Sequence, residues 1–372
     1  MKNNSEKWLQ KILEPAKIKI NGTNPWDIRI INPKLYNRVK INGSLGLGEA
    51  YMEGWWECDK LDEFFYRILS SDIYSRVGLS LPILFGFIKA KLFNLQAVKR
   101  AFEVGEKHYD IGNDLFEPML GKTMAYSCGY WRNSKTLDKA QEAKLDLICK
   151  KLDLKKGQTV LDIGCGWGSF AYHAAKNYGV KVVGITVSKE QVKLGQKICK
   201  GLPVELRLQN YESLNEKFDH IVSVGMFEHV GEKNYKNFFK IVKKCLKEDG
   251  LFLLHTIGSL TTGNNADPWM NKYIFPNGML PSLKHITSNT EGLFVIEDVH
   301  NFGADYDKTL MQWHKNFNKS WPKIKDKYQG DFYRMWNYYL LSCAGAFRSR
   351  DAQLWQIVLS PHGVPRGYKS IR

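Results

Sequence analysis

The sequence has no paired-cysteine motif. Its seven cysteines, Cys58, Cys128, Cys149, Cys165, Cys199, Cys245 and Cys343, are odd in number and scattered, and no CxxC occurs. That argues against a disulfide framework or a zinc site and for reduced thiols in a cytoplasm. No apolar run approaches the ~20 residues a membrane span needs. The opening stretch, MKNNSEKWLQ, lacks the apolar core of a signal peptide, so any membrane is expected to be met from its inner, cytoplasmic face. Repeats and low-complexity tracts are missing as well. Acidic residues are in deficit, 38 against 54 Lys and Arg, which leaves a formal charge of +16. A surface this basic attracts polyanions, and nucleic acid and anionic lipid both qualify. Residues 73–102 contain no acid at all, while Arg76, Lys89, Lys91, Lys99 and Arg100 stand among Leu81, Ile83, Leu84, Phe85, Phe87, Ile88, Leu92 and Phe93. Such a segment suits either a membrane surface or a packed linker helix.

What is present is ample material for two domains: 372 residues, 44% apolar, with 11 Trp. Residues 1–85 predict a small, mainly helical domain. Ser5 is placed to cap a helix carrying Trp8, Leu9, Ile12 and Leu13 on one face. Gly43–Gly48 reads as a turn-rich break. Tyr51, Met52, Trp55 and Trp56 then precede a helix capped at Asp59 and running through Tyr66. Residues 86–105 are expected to link this domain to a second one over 106–372. There the pattern alternates. Strands are expected at Thr159–Ile163, Val180–Ile185, Val204–Leu208, Phe218–Val224 and Gly250–His255, with helices at Ser169–Asn177, Lys189–Lys200 and Tyr235–Leu246. Residues 259–290 read as an insertion, and Leu293–Asp298 and Leu354–Leu359 supply two last strands. The rhythm predicts an α/β fold with a doubly wound, mostly parallel, seven-stranded sheet.

The sharpest local signal is Val160-Leu-Asp-Ile-Gly-Cys-Gly-Trp-Gly168. A strand runs into three glycines at alternate positions, which permits a tight turn and close approach of a ligand to the backbone. The spacing is not that of the dinucleotide fingerprint. With an Asp two residues before the first glycine, it resembles motif I of S-adenosylmethionine methyltransferases, which have a Rossmann-like fold. On that reading Val160, Leu161, Asp162, Ile163, Gly164, Cys165, Gly166, Trp167 and Gly168 bind the cofactor, with Asp162 meeting its ammonium group. The second strand lacks the acid that commonly holds the ribose hydroxyls, so Thr186 and Gln191 are expected to supply those bonds. The DPPY-type motif of amino-methylating DNA enzymes is also missing. Gly225-Met-Phe-Glu-His-Val230 stands in its place, which weakens the nucleic-acid alternative and leads us to expect no nucleic-acid partner.

Longer motifs extend the resemblance. They are Gly43-Ser-Leu-Gly-Leu-Gly-Glu-Ala-Tyr-Met-Glu-Gly-Trp-Trp56, His108-Tyr-Asp-Ile-Gly-Asn113, Tyr126-Ser-Cys128, Val224-Gly-Met-Phe-Glu-His-Val230, Leu254-His-Thr-Ile-Gly258, Tyr273-Ile-Phe-Pro-Asn-Gly278, Asn301-Phe-Gly-Ala-Asp-Tyr306 and Cys343-Ala-Gly-Ala-Phe-Arg348. Together these resemble the cyclopropane-fatty-acyl-phospholipid synthases, within the mycolic acid cyclopropane synthase superfamily, over nearly the whole chain. The resemblance implies a homodimer, peripheral at a phospholipid bilayer, whose N-terminal domain docks on lipid. It implies transfer of a methylene unit from S-adenosylmethionine to a cis acyl double bond, with bound bicarbonate as the base. It carries the bicarbonate site onto Cys128, Glu228, His255, the backbone of Ile257, and Tyr306. It places Tyr126 and Ser127 over the methionine moiety and Asn210 and Tyr211 at the adenine. Cys343 enters as a catalytic candidate with helix packing as its alternative; His229 reads as packing. A related lipid methyltransferase giving a methyl-branched product, a non-catalytic lipid- or cofactor-binding protein, and a nucleic-acid methyltransferase are the competing functions.

Overall fold

The computed structural model describes residues 4–71, 112–263, 267–328 and 330–372. The basic, apolar segment at 73–102, the proposed linker and most of the His108–Asn113 motif lie outside them. The chain forms two compact units. One holds the described residues within Met1–Asn94, Asn264–Pro276 and Tyr306–Ala352; the other holds those within Leu95–Gly263, Asn277–Asp305 and Gln353–Arg372. The chain thus re-enters the first unit twice, where the sequence reading drew a single boundary across 86–105.

The first unit is mainly helical. A short antiparallel pair, β1 (Arg29–Ile30) and β2 (Trp56–Glu57), accompanies helices at Asn4–Leu13, Leu35–Met52, Leu61–Leu69, Pro268–Tyr273 and Phe332–Arg348. Ser5 is inside the first helix, not its cap, and its hydroxyl donates to Asn37 Oδ1 at 2.8 Å. Asp59 likewise caps nothing; it pairs with Arg29 at 2.8 Å, and the helix starts beyond Lys60. The expected break at Gly43–Gly48 is a correction of larger consequence. The helix runs through it with one kink, at Gly43 (φ 55°, ψ −131°). The glycines serve packing: a Cβ on Gly48 would lie 2.3 Å from the Trp269 ring, and one on Gly46 would lie 2.6 Å from the Arg38 carbonyl oxygen. The helix Phe332–Arg348 presses on Leu61–Leu69 with similar intimacy. A Cβ on Gly345 would come within 2.6 Å of Phe65 Cβ, and Arg348 ties Asp62, Glu63 and Asp307 together.

The second unit carries the expected sheet, in the order β5-β4-β3-β6-β7-β9-β8. Its strands are β3 (Thr159–Ile163), β4 (Lys181–Thr186), β5 (Val204–Leu208), β6 (Phe218–Val224), β7 (Leu246–Ser259), β8 (Val295–Asn301) and β9 (Ala352–Ser360). Pairing is parallel from β5 to β7, and β8 runs antiparallel to β9. Both faces are covered. Leu161, Ile163 and Ile221 pack with Phe238, Phe239 and Val242 of the helix Glu232–Cys245. Val160, Val182 and Val222 pack with Leu145, Ile148, Ala171 and Ala174 of the helices Leu137–Lys151 and Ser169–Tyr178. A strand buried on both faces reads as a continuous apolar run, which is why β3, β4 and β6 are found within a residue of their expected positions; β5, at the sheet edge, buries only Leu206. From β3 the chain winds outward to β5 and then returns to lay β6 on the other side of β3. In open α/β sheets that reversal, at the carboxyl ends of the strands, is where ligands bind.

One contact in this sheet is tight enough to test. Gly258 lies on β7 against Trp355 of β9, and a Cβ there would fall 1.9 Å from the indole. Gly258→Ala is expected to destabilise by about 1–3 kcal/mol through overpacking, seen as a melting temperature lower by several degrees. A companion Trp355→Leu change that recovers part of the loss would locate the clash; an unchanged melting curve would refute it.

Candidate active site

The site is built at the carboxyl edge of β3, β6 and β7. Gly164, Gly166 and Gly168 all have positive φ, at 80°, 55° and 83°. The turn is pinned because Gly164 and Cys165 both donate their N–H to the Ile185 carbonyl at the end of β4, at 2.9 and 3.0 Å. The glycines differ in what they face. A Cβ on Gly164 would strike Met226 and one on Gly168 would crowd Cys199 and Leu206, but a Cβ on Gly166 would meet nothing within 4 Å among the described residues. That open backbone is the place a ligand can approach. Of the other loop residues, Val160, Leu161, Ile163, Cys165 and Trp167 are buried in the core. The Trp167 indole donates to Asn113 Oδ1 at 3.0 Å and packs at a tilt of 49° against Phe116, which in turn meets the Tyr126 ring.

Alternation along β3 puts Asp162 on the same face as Val160, toward the helix Leu137–Lys151. It is 1% exposed and its Oδ2 has no hydrogen-bond partner among the described residues. Burial pushes its pKa up to about 7, against the pull of the Lys144 ammonium. A buried carboxylate oxygen with no partner, beside an open glycine backbone, fits the ammonium end of a sulfonium amino acid.

Lys144 and Gln141 were not singled out from sequence, and both belong to this site. Lys144 Nζ donates to Ser127 Oγ at 2.9 Å, and Gln141 Nε2 donates to the Ser127 carbonyl at 2.7 Å. They fix the strap Ala125–Cys128 that carries Tyr126. The signal was available: two polar residues at i and i+3 interrupt an otherwise apolar stripe of Leu137, Ala140, Leu145 and Ile148.

The structure gives the residues expected at the ribose and adenine partners of their own. Thr186 Oγ1 donates to Gln191 Oε1 at 2.6 Å, so these two are brought together and buried. Asn210 Oδ1 accepts the Glu212 N–H at 2.9 Å, and the acceptor expected for adenine already closes a turn. Tyr211 packs edge-on against Phe238.

The second cluster follows β6 and β7, whose pairing sets Val224 opposite His255. Glu228 is 6% exposed on the short turn Phe227–His229. Its Oε1 accepts the Ile257 N–H at 2.6 Å, and its Oε2 has no partner. Burial raises its pKa to about 7. The Ile257 carbonyl accepts the Thr256 hydroxyl at 3.0 Å, so both backbone groups of Ile257 are engaged. His255 is buried; Gln356 Nε2 donates to its Nδ1 at 3.2 Å, which assigns the ring proton to Nε2, and Nε2 has no partner. Desolvation holds His255 well below its ordinary pKa, so the ring is neutral at physiological pH. Desolvation lowers His229 to about 4. Cys128 is fully buried, its Sγ 3.2 Å from the Gly129 carbonyl oxygen.

Tyr306 and Cys343 belong to the first unit. Tyr306 is buried there, stacked on Phe347 at 4.4 Å and edge-on to Trp313. Burial pushes the Cys343 thiol up to about 12, so it is no thiolate at neutral pH and no activated nucleophile. All seven cysteines are free thiols. Among the described residues no helix is long and apolar enough to cross a membrane.

Comparison with known proteins gives concordant results. The family described as mycolic acid cyclopropane synthetase matches residues 96–357. A cyclopropane-fatty-acyl-phospholipid synthase of Escherichia coli (strain K12) is 55% identical over 362 residues, covering 97% of this chain and 94% of that protein. A probable fatty acid methyltransferase of Pseudomonas putida is 40% identical, covering 94% of this chain and 93% of the relative. Among solved structures, the mycolic acid cyclopropane synthase CmaA1 in complex with SAH and CTAB is 32% identical, with a TM-score of 0.65, covering 69% of this chain and 97% of that one.

Proposed function

The chain belongs to the mycolic acid cyclopropane synthetase family and has the S-adenosylmethionine methyltransferase fold, and from that premise we propose that it converts cis double bonds of phospholipid acyl chains into cyclopropane rings. The observation that carries this reading is the trio of buried polar atoms without partners among the described residues, Asp162 Oδ2, Glu228 Oε2 and His255 Nε2, held on neighbouring strands β3, β6 and β7 or the turn after them. Asp162 and the open Gly166 backbone receive S-adenosylmethionine, whose sulfonium supplies an electrophilic methyl group. An alkene is a weak nucleophile, so this chain's contribution is to hold the reacting carbons in line in a dry, apolar site.

One carbon is gained and one proton must leave an unactivated C–H, and bicarbonate supplies a small base for that. Glu228, ionised above about pH 7, accepts the anion's O–H through Oε2 while Ile257 fixes Oε1. Neutral His255 donates from Nε2 without adding a positive charge beside the developing carbocation. Cys128, buried in the same unit, completes the proposed anion site. The lipid surface is met through the first unit, by a homodimer peripheral to the inner face of the membrane. The phospholipid substrate is supported by the Escherichia coli relative, which covers both units.

The test is lipid mass analysis after expression in a host without such an enzyme. Unsaturated chains should gain one CH2 per double bond, and the added carbon should resonate as a ring methylene. A methyl branch at the same mass would favour the second reading, which the Pseudomonas putida relative's name makes worth separating. Unaltered lipids from a folded, SAH-binding enzyme would overturn both.

A further inference from the structure

A lysine buried in the pocket of a cationic cofactor needs a reason. Lys144 is 1% exposed, on the helix Leu137–Lys151, which covers the face of β3 that bears Asp162. Burying an ammonium is costly unless it is paired and hydrogen-bonded. Among the described residues it donates to one side chain, a neutral hydroxyl, Ser127 Oγ, at 2.9 Å. The Cys128 thiol and then Asp162 favour its charge, and Asp162 Oδ2 has no hydrogen-bond partner among the described residues. The lysine thus hydrogen-bonds the strap from a helix that covers the face of β3 bearing the carboxylate.

We propose that Lys144 is a positioning residue that locks the Ala125–Cys128 strap through Ser127 and holds Asp162 ionised, ready for the cofactor's ammonium group. The inference rests on the reading of this pocket as an S-adenosylmethionine site. Its logic is charge accounting. Asp162 alone, buried as it is, favours the protonated form; the lysine charge opposes this. The incoming ammonium then pairs with the carboxylate, and Lys144, already depressed to about 8 by burial, gives up its proton more readily than an exposed lysine would. The other titratable groups facing this pair are the Cys128 thiol beside Lys144, the Cys165 and Cys199 thiols beside Asp162, and His255 and His173, whose protonation Lys144 disfavours. Burial raises the Cys165 and Cys199 thiols and lowers both histidines, which leaves Lys144 and Asp162 to set the response near neutrality.

The experiment is calorimetric titration of the full chain with SAH from pH 6 to 9, for wild type, Lys144→Met, Lys144→Arg and Ser127→Ala. Wild-type affinity should rise with pH as Asp162 ionises. In Lys144→Met the rise should move to higher pH by about one unit, so that affinity near pH 7 falls roughly tenfold. Lys144→Arg keeps the charge and should restore the wild-type midpoint even if its affinity is lower. Ser127→Ala should weaken binding without moving the midpoint. A wild-type midpoint in Lys144→Met overturns the proposal. If Lys144→Met does not fold, Lys144→Gln takes its place and is judged by the same midpoint. Wild type that binds no SAH at any pH overturns the cofactor reading itself, a result distinct from binding that ignores the lysine.

Discussion

Glu228→Gln is expected to lower turnover by roughly two to three orders of magnitude while leaving SAH affinity within a few-fold of wild type. Glu228 stands after β6, and the glycine loop stands after β3; in the proposed mechanism the Oε2 atom, without a partner among the described residues, serves proton removal rather than cofactor binding. In decarbonated buffer the wild type should slow and added bicarbonate should restore it, whereas the variant should respond weakly to either. Wild-type activity should also fall as pH drops through about 7, because Glu228 then takes up a proton and no longer accepts one from the anion. Activity indifferent to bicarbonate would remove the anion from the mechanism.

Stability supplies an independent readout. The folded pKa of Glu228 is raised above its ordinary value, so the folded state binds the proton more tightly than the unfolded chain. Its contribution is favourable below the unfolded pKa and is lost as pH rises through about 7. Glu228→Gln, which removes the charge but keeps the shape, should therefore gain stability relative to wild type at pH 8 and gain less at pH 5. A residue kept for packing would behave otherwise: its replacement would cost stability at both pH values and take activity with it.

The parts of this molecule legible from sequence are those in which one physical demand dominates. Strands β3, β4 and β6 are largely buried and end in turn residues, and their apolar runs show it. The glycine loop is legible because positive φ at three alternate positions leaves no other residue. The strap, by contrast, is held by Lys144 and Gln141, whose role depends on a β-strand that arrives later in the chain. Gly46 and Gly48 were misread because a glycine that admits Trp269 or a folded-back carbonyl looks, in one dimension, like a glycine that makes a turn. The two units raised the same difficulty. The helix Phe332–Arg348 joins Leu61–Leu69 through Gly345 and Arg348, a pairing across some 280 residues that no local pattern announces. Asn210 was expected at adenine by analogy, and its oxygen also caps the turn it begins, a local role that the sequence pattern carries by itself.

Gly166→Val is expected to reduce SAH affinity by two orders of magnitude or more, the equivalent of about 3 kcal/mol, with the fold retained. Two effects act at this residue, and they can be separated. The first is conformational: φ is 55°, and a β-branched residue is strained there by about 1–2 kcal/mol. The second is steric. A Cβ at this position meets no atom of the described residues within 4 Å, so none of them is displaced; the side chain stands in the space over the loop. Gly166→Ala carries much of the backbone strain with far less bulk. If both variants lose similar stability but only valine abolishes binding, the space beside Gly166 is occupied by the ligand. Gly164→Val makes the contrasting case, because its Cβ would collide with Met226 at 2.5 Å, and its loss should appear first as a lower melting temperature. Undiminished SAH affinity in a folded Gly166→Val protein would mean that the ligand lies elsewhere. Asp162 Oδ2 would then be a buried carboxylate oxygen for which the site offers no partner, a costly feature that the bound ammonium otherwise explains.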